Sequence, residues 1–583
     1  MNKQHIKKTR RKRNYIGLSS TLHDPAMAVV DSKGKVVFAE ATERFLQNKR
    51  AWNCVPDSML YVPKIIEQYC ENDAELVVAQ SWSKKTGSRF RFLRLIMPTI
   101  MNLSKTDRLY RARIMMMLNG MIGIQESCGS HIENAAYGNS SIKRVVKKYY
   151  DHHTTHAAAA CCGSPFKKAV CVVVDGYGEN LFSTAFFGYE NGEIKRLRGI
   201  KGSKWTSLGL YYYTICSLCG FDPMKGEEWK VMGLAPYGKY NKTLYGLLQS
   251  YIKVKDGKLI HGEIKYKGLS YLRKETKRLS LSAADIAYNG QMYFSELMTS
   301  LLNYVHTLGF SENLVLTGGC ALNSSYNGMI LEATPFKQLF IPSAPADDGN
   351  AIGAALLAYY EDQSPPNSER NYQSPYLGAR MSDETLMKLE RLGRLRSSQL
   401  NGRKIFERAA ELLAEGNILG WIQGRAEFGP RALGNRSILA DPRSSTIKDR
   451  LNETVKFREE FRPFAPSILH EYGKEYFENY QESPYMERTL RFKKEMWNRL
   501  HGVIHIDGTG RLQTVKREWN QKFYDLISAF KDITGIPLLL NTSFNVQGKP
   551  IIHSIEDAIA VFYTSGLDAL VIGEKLFEKK DSI

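Results

Sequence analysis

Two stretches of the chain carry one pattern, and that pattern limits the fold. Residues 15–45, "YIGLSSTLHDPAMAVVDSKGKVVFAEATERF", read strand, turn, strand, turn, strand: Tyr15 to Leu18, Ala26 to Val30 and Val36 to Ala39. β-Branched residues fill the runs, and Asp, Pro, Ser and Gly punctuate them. The pattern returns in "AVCVVVD" at 169–175, followed by "GYGENLFSTAFFGYENGEI" with "ENGE" as its turn. A third apolar run, "NLVLTGGCALN" from Asn313, breaks at Gly318-Gly319 and is expected to continue as a helix. Short strand–turn–strand units repeated in two halves, each presenting a loop with Asp or Gly, predict an α/β chain whose first part has two nucleotide-binding lobes.

At 583 residues the chain exceeds one ordinary core, so at least two domains are expected. The stretch "YYEDQSPPNSERNYQSPY" (359–376) is rich in Pro, Ser, Asn and charge and reads as a linker. The expected division is a basic arm at 1–14, a first domain at 15–362, a linker at 363–374 and a second domain at 375–583. The second domain opens with a helix in "KIFERAAELLAEG" and a strand in "NILGWIQG".

The formal charge of +20 favours anionic partners. The arm "MNKQHIKKTRRKRN" holds seven of these cations and no acid. No apolar core follows it, so no leader is expected and the cytoplasm is the expected compartment. Residues 85–124 interleave arginines with Met, Leu, Ile and Phe. They read as helices packed on the first domain, with a peripheral membrane or glycolipid contact as the sharper reading. The uncharged run "IMMMLNGMIGIQ" is too short to span a bilayer. Nine cysteines form no framework, and "CSLC" at 216–219 reads as buried thiols.

Chemistry concentrates in two places. His152 and His156 of "DHHTTHAAAA" lie one helical turn apart, whereas His153 points about 100° away. The strand after them ends on Asp175, and "PADDGNAIGAA" puts Asp347 and Asp348 ahead of a small-residue helix. Two imidazoles and two carboxylates suit an open site for Fe(II), Mn(II) or another divalent ion. Gly318 and Gly319 of "LTGGCALN" would let backbone N–H groups approach a phosphate. In the second domain, "GPRALGNRSILADPR", "VKFREEFRPFAPS", "HIDGTGRLQTV" and "LLLNTSFNVQGKPI" supply Arg431, Arg436, Arg443, Lys456, Arg458, Arg462, Arg511 and Lys549, several of them beside Gly or Pro. Arginine forks in loops bind phosphate oxygens in pairs, and the pattern is not a P-loop.

These motifs, in this order, resemble the O-carbamoyltransferases of antibiotic, nodulation-factor and glycan modification. The likeness runs from "HDPAMAVV" and "ATERFLQNKR" through "KVMGLAPYGK" to "LNTSFNVQGKPI"; the first half alone is also similar to the universal tRNA threonylcarbamoyl transferases. The resemblance implies an actin-like (ASKHA, TsaD-like) first domain with duplicated βα lobes and an α/β YrdC-like second domain. The second would make carbamoyl adenylate from carbamoyl phosphate and ATP with Mg2+, and the first would pass the carbamoyl group to a hydroxyl, a sugar being favoured. The implied metal ligands are His152, His156, Asp175 and Asp347, with Fe2+ favoured. His23 and Lys49 match a pair facing the carbamoyl group. Arg431, Lys456, Arg462, Arg511, Asn541 and Ser543 match positions holding phosphates, carbamate and nucleotide, and Gly318, Gly319, Asn323 and Arg436 join the substrate-binding set. A tRNA-modifying enzyme is the alternative, though no stacking-aromatic RNA motif is visible and nucleic acid is not the expected partner. A non-enzymatic nucleotide sensor would not need the second cation-rich site.

Overall fold

The computed structural model describes residues 12–86, 108–139, 142–264, 268–363, 373–393 and 395–579. Most of the expected arm and linker, and residues 87–107 of the basic apolar stretch, lie outside the described residues.

The first domain contains two sheets of the same design. In one, β1 (Arg13–Ser19), β2 (Ala26–Val30), β3 (Val36–Ala41), β4 (Ala74–Gln80) and β5 (Ile142–Tyr149) lie in the order β3-β2-β1-β4-β5. The first three strands form an antiparallel meander, and β4 and β5 run parallel to β1. In the other, β6 (Lys168–Val174), β7 (Thr184–Glu190), β8 (Glu193–Arg196), β11 (Asn313–Thr317) and β12 (Gln338–Phe340) repeat the order from the opposite edge, β12-β11-β6-β7-β8. A small hairpin, β9 (Ile252–Lys255) with β10 (Lys258–His261), stands beside the second lobe. The duplicated actin-like lobes are therefore present, and the central strands β1 and β6 are buried along nearly their whole length, as parallel neighbours demand.

Each lobe ends in a helix, His152–Gly163 in the first and Asn350–Asp362 in the second, and the two helices pack against one another. Small residues make the crossing close. A Cβ on Gly353 would stand 1.9 Å from the Thr155 carbonyl oxygen, and one on Gly17 of β1 would stand 1.8 Å from that of Ala351. Only glycine fits either point, which accounts for the runs "AAAACCG" and "NAIGAA" in the sequence. The long helix Ala283–Thr307 fills the second lobe's core and starts in a capping box between Ser282 and Asp285.

After Gly318 the expected helix takes the form of a 3-10 turn, Gly319–Leu322, and then a short helix, Ser324–Asn327, whose N-cap Asn323 accepts the Tyr326 amide at 3.0 Å. Cys216 and Cys219 are buried thiols as expected; burial pushes Cys219 up to about 12.

The second domain is built on a nine-stranded mixed sheet. Its strands are β13 (Ser398–Gln399), β14 (Leu419–Ile422), β15 (Arg436–Ala440), β16 (Ala465–Leu469), β17 (Arg488–Arg491), β18 (Thr509–Val515), β19 (Leu538–Ser543), β20 (Ala569–Ile572) and β21 (Lys575–Glu578). Their order is β13-β21-β20-β14-β15-β19-β16-β18-β17. The domains meet over buried polar contacts: Arg425 donates to the Val37 carbonyl at 2.7 Å, Arg44 to that of Gly429 at 2.8 Å, and Arg488 to that of Leu339 at 2.5 Å. Among the described residues no helix is long and apolar enough to cross a membrane.

Candidate active site

Where the two terminal helices cross, four side chains converge. His152 and His156 project from the first turn of the helix His152–Gly163, whose N-cap Asp151 accepts the Thr154 amide. Asp175 follows the end of β6, and Asp347 lies in the turn before the helix Asn350–Asp362. His152 Nε2 stands 3.1 Å from Asp175 and 3.5 Å from Asp347; His156 Nε2 stands 3.7 Å and 3.3 Å from the same two carboxylates. All four are buried, and one ligand atom from each falls within 4.8 Å of the others. His156 Nε2 makes no well-formed hydrogen bond despite its burial. An aimed but unanswered imidazole between two carboxylates fits a divalent ion bound at roughly 2.0–2.2 Å from each ligand, with only a small inward shift. The electrostatics agree. Burial by itself would depress His156, but the neighbouring carboxylates of Asp175 and Asp347 raise it to about 10. His153 faces the other way, beneath Gly178, and burial with the neighbouring His152 lowers it to about 3.

The double glycine serves this pocket. Gly318 has φ 91°, and its neighbour's amide, Gly319 N–H, donates to Asp175 Oδ1 at 3.1 Å. The amide expected to meet a phosphate thus orients a carboxylate. Asn323 is likewise engaged: besides capping, it donates to Gln291 Oε1 at 3.0 Å. On the remaining sides, Trp82 stacks on His152 with ring centres 4.5 Å apart, and the Ser83 amide and hydroxyl hold the buried Glu179 at 2.6 and 2.8 Å across the lobes.

His23 borders the pocket, with Nδ1 3.9 Å from Asp347 and 2.9 Å from Asp24. Arg50 ties this corner together, donating to Asp24 at 3.0 Å and lying 3.0 Å from His23 Nδ1. Burial would raise Asp24; the Arg50 and His23 charges overcome that and hold it well below the usual carboxylate range. Asp348, by contrast, is pushed up to about 7 by burial and by the nearby Asp24 and Glu43. Sequence reasoning missed Asp24 and Arg50, although each directly follows a residue it picked, His23 and Lys49.

A second cluster lies where the domains meet. Arg431, Lys456, Arg458, Arg462, Arg511 and Lys49 lie close enough for their charges to disfavour one another, alongside the cost of burial. Burial lowers Arg431 to about 10, and burial with Arg462 lowers Arg458 to about 9. Glu459 answers Arg462 at 3.1 Å and Lys230 at 2.6 Å. The Nε atoms of Arg462 and Arg511 and Nη2 of Arg458 are buried without a hydrogen-bond partner. Cations crowded this way are costly unless an anion completes the site. Their scaffold is rigid. Arg462 lies 3.9 Å over the Trp229 ring and Arg458 4.3 Å over Phe464. Lys456 ends a wide turn, Asn452–Lys456, with Phe457 beyond it at φ 49°, and its ammonium donates to the Ser543 carbonyl at 2.6 Å and to Asn545 Oδ1 at 2.7 Å. The loop carrying Arg431 is organised by buried Glu427, whose Oε1 accepts the amides of Leu433, Asn435 and Arg436.

Several expected site residues make hydrogen bonds or ion pairs within the chain. Arg436 is fully buried, and its Nη1 and Nη2 donate to the carbonyls of Gln423, Asn435, Ala379 and Gly424. Arg443 pairs with Asp441, and Lys549 is exposed. Asn541 sits under the Arg431 loop, donating to the Ala432 carbonyl and Ser467 Oγ. Ser543 donates to Asn545 Oδ1 at 2.7 Å and so helps to seat Lys456.

Residues 14–356 match the family model for the carbamoyltransferase N-terminus, and residues 410–579 the one for the carbamoyltransferase C-terminus. The nodulation protein NolNO of Sinorhizobium fredii is 37% identical over 437 residues, 72% of this chain but only 62% of that protein. An uncharacterised protein of Methanocaldococcus jannaschii is 32% identical over 609 residues, 97% of this chain and 99% of that one. The 3'-hydroxymethylcephem-O-carbamoyltransferase of Amycolatopsis lactamdurans is 33% identical over 271 residues, 46% of this chain and 49% of the enzyme. With both family models matched in order over most of its length, the chain belongs to the carbamoyltransferase family.

Proposed function

We propose that the protein is an ATP-dependent O-carbamoyltransferase with two reaction centres. The observation that carries this reading is the pairing of an unneutralised cation cluster with a separate two-histidine, two-aspartate pocket. Carbamate has a poor leaving group, so transfer to a hydroxyl needs an activated donor. In the proposed sequence, carbamoyl phosphate loses phosphate to water, and the freed carbamate oxygen attacks the α-phosphorus of ATP. Carbamoyl adenylate forms and pyrophosphate leaves. Arg431, Arg458, Arg462, Arg511 and Lys456 offset the charge of both substrates, and their preorganised donors favour the more highly charged transition state. Mg2+ would accompany ATP.

In the first domain the acceptor hydroxyl attacks the carbamoyl carbon and AMP leaves. His152, His156, Asp175 and Asp347 would hold a divalent ion, Fe2+ or Mn2+ by their donor set, which supplies polarisation of the carbamoyl oxygen. His23, oriented by Asp24 and Arg50, is placed to accept the hydroxyl's proton. Both clusters border the Lys49–Arg50 turn, and the adenylate, which water would hydrolyse, would pass between them within the chain. The activity named for the cephem enzyme, O-carbamoyl transfer to a hydroxymethyl group, supports a hydroxyl acceptor, and a sugar hydroxyl is the acceptor proposed here. The test is to incubate the protein with ATP, carbamoyl phosphate and Fe2+ or Mn2+ and to measure pyrophosphate and AMP. Pyrophosphate that depends on carbamoyl phosphate is expected; ATP left intact, or split only to ADP, overturns the reading.

A further inference from the structure

The two ring nitrogens of His152 meet different surroundings. Nε2 points at the carboxylates, 3.1 Å from Asp175 and 3.5 Å from Asp347. Nδ1 points away from them, and among the described residues its hydrogen-bond partner is the side chain of Asn350, with Nδ2 at 3.4 Å. An imidazole that ligates through Nε2 must keep that nitrogen free of hydrogen. Its proton then sits on Nδ1 and needs an acceptor. Asn350 is fully buried, and its Oδ1 meets no hydrogen-bond partner.

With Nδ2 toward the ring, the amide donates to Nδ1, and the imidazole proton lies on Nε2, where Asp175 Oδ2 accepts it. A half-turn of the carboxamide puts Oδ1 in the place of Nδ2, and the same residue then accepts a proton from Nδ1. No second bond ties the amide to one orientation, because the atom turned away from His152 has no partner. The side chain can therefore answer either tautomer. Its place is set by the crossing of the two terminal helices. Asn350 opens the helix Asn350–Asp362, three residues after Asp347. One turn on, Gly353 lies so close to Thr155 that an added Cβ would stand 1.9 Å from its carbonyl oxygen. Thr155 is itself one turn beyond His152, and its hydroxyl donates to the His152 carbonyl at 2.7 Å. The contacts of Gly353 with Thr155 and of Asn350 with His152 are thus one turn apart on both helices, and the first brings the second within reach. Trp82, stacked on the same imidazole with ring centres 4.5 Å apart, limits its rotation.

We propose that Asn350 is a positioning residue for His152: its carboxamide turns with the tautomer of the imidazole and, by accepting the Nδ1 proton, holds Nε2 ready to ligate. The proposal rests on the proposed metal pocket and not on the reaction proposed to follow there.

The test is isothermal titration of the full chain with Mn2+, comparing native, Asn350→Leu and Asn350→Asp. The visible absorption of bound Co2+ is recorded for the same set and for His152→Ala. Leucine fills the volume of the amide but cannot hydrogen-bond, whereas aspartate can only accept. Loss of the outer partner of a ligating histidine lowers metal affinity about 10- to 100-fold, and a loss in that range is expected for Asn350→Leu. Its Co2+ band should move toward that of His152→Ala, and its melting temperature should be no lower than native. Asn350→Asp should keep native affinity or exceed it, with a native band. A side chain that merely packs gives the reverse order, because leucine is then the tolerated change and a buried carboxylate the costly one. Native affinity in Asn350→Leu, or a comparable loss in Asn350→Asp, overturns the proposal. Should the leucine variant not fold, Asn350→Ala is read in the same way. A native chain that binds neither ion overturns the proposal together with the metal pocket, whereas pyrophosphate release, scored in parallel, bears on the cation cluster alone.

Discussion

Lys49 and Arg50 are consecutive, yet they serve different sites. Arg50 turns to Asp24 and His23 beside the metal pocket, while Lys49 feels the charges of Arg462 and Lys230 at the domain junction. Arg50 itself takes φ 62°, which splits the directions of the pair. A single strained turn therefore borders both clusters.

Arg462→Ala and Lys456→Met each remove a cation from the junction without touching the metal pocket. A charged hydrogen bond to phosphate contributes about 1.5–3 kcal/mol, or roughly 10- to 150-fold. Pyrophosphate release at fixed ATP and carbamoyl phosphate should fall by at least that factor. Metal content, by elemental analysis, should stay native; normal pyrophosphate release by both variants would remove the cluster from the reaction.

Gly353→Ala tests the crossing of the two terminal helices. The added methyl would meet the Thr155 carbonyl oxygen at 1.9 Å, so the helices must part. Overpacking of this kind costs about 1–3 kcal/mol. Because the crossing brings His156 to Asp347, the variant should bind metal more weakly although no ligand has changed. Isothermal titration with Mn2+ reads this directly, and native affinity would show that the pocket is set by its own side chains alone.

Much of this was legible in the chain. The β1–β3 and β6–β8 units follow from β-branched runs and turn residues, and the His152–His156 spacing fixes one face of one helix. What could not be read is which cations stay available. Arg431 and Arg436 look alike in "GPRALGNR", yet β15 turns Arg436 inward among four carbonyls and leaves Arg431 to the cluster. The Gly318-Gly319 amides could not be assigned either, since Asp175 reaches Gly319 only once β6 and β11 pair. Pairing across 100 residues or more decides such cases, and local pattern carries no record of it.

His553 and Glu40 join the two domains by a buried ion pair at 3.3 Å, with Tyr61 and the Ala379 amide also bonded to Glu40. Burial opposes charge on both, but their attraction prevails, raising His553 and lowering Glu40. The sign follows from each group. Stability from His553 is complete below its ordinary value of 6.5 and is lost as pH rises through its raised value. Stability from Glu40 is complete above 4.5 and is lost as pH falls through its lowered value. The melting temperature should decline as pH rises above about 6.5, and Glu40→Gln should flatten that slope. Parallel profiles for native and variant would show that the pair contributes nothing to the pH response.

His156→Ala and His153→Asn separate ligand from neighbour within one helix. Both imidazoles are buried and one is as close to His152 in sequence as a residue can be, so burial and proximity do not distinguish them. Direction does. His156 Nε2 faces Asp175 and Asp347, while the His153 ring lies beneath Gly178. His156→Ala should lose bound metal and with it carbamoyl transfer, yet still release pyrophosphate from ATP and carbamoyl phosphate, because the cation cluster is untouched. His153→Asn should keep its metal and give up some stability through the space opened under Gly178. Metal content by elemental analysis, pyrophosphate release and carbamoyl transfer are measured side by side. Full metal and full transfer in His156→Ala would make the histidine cluster a packing device. Loss of pyrophosphate release along with metal would mean instead that the two centres cannot work apart.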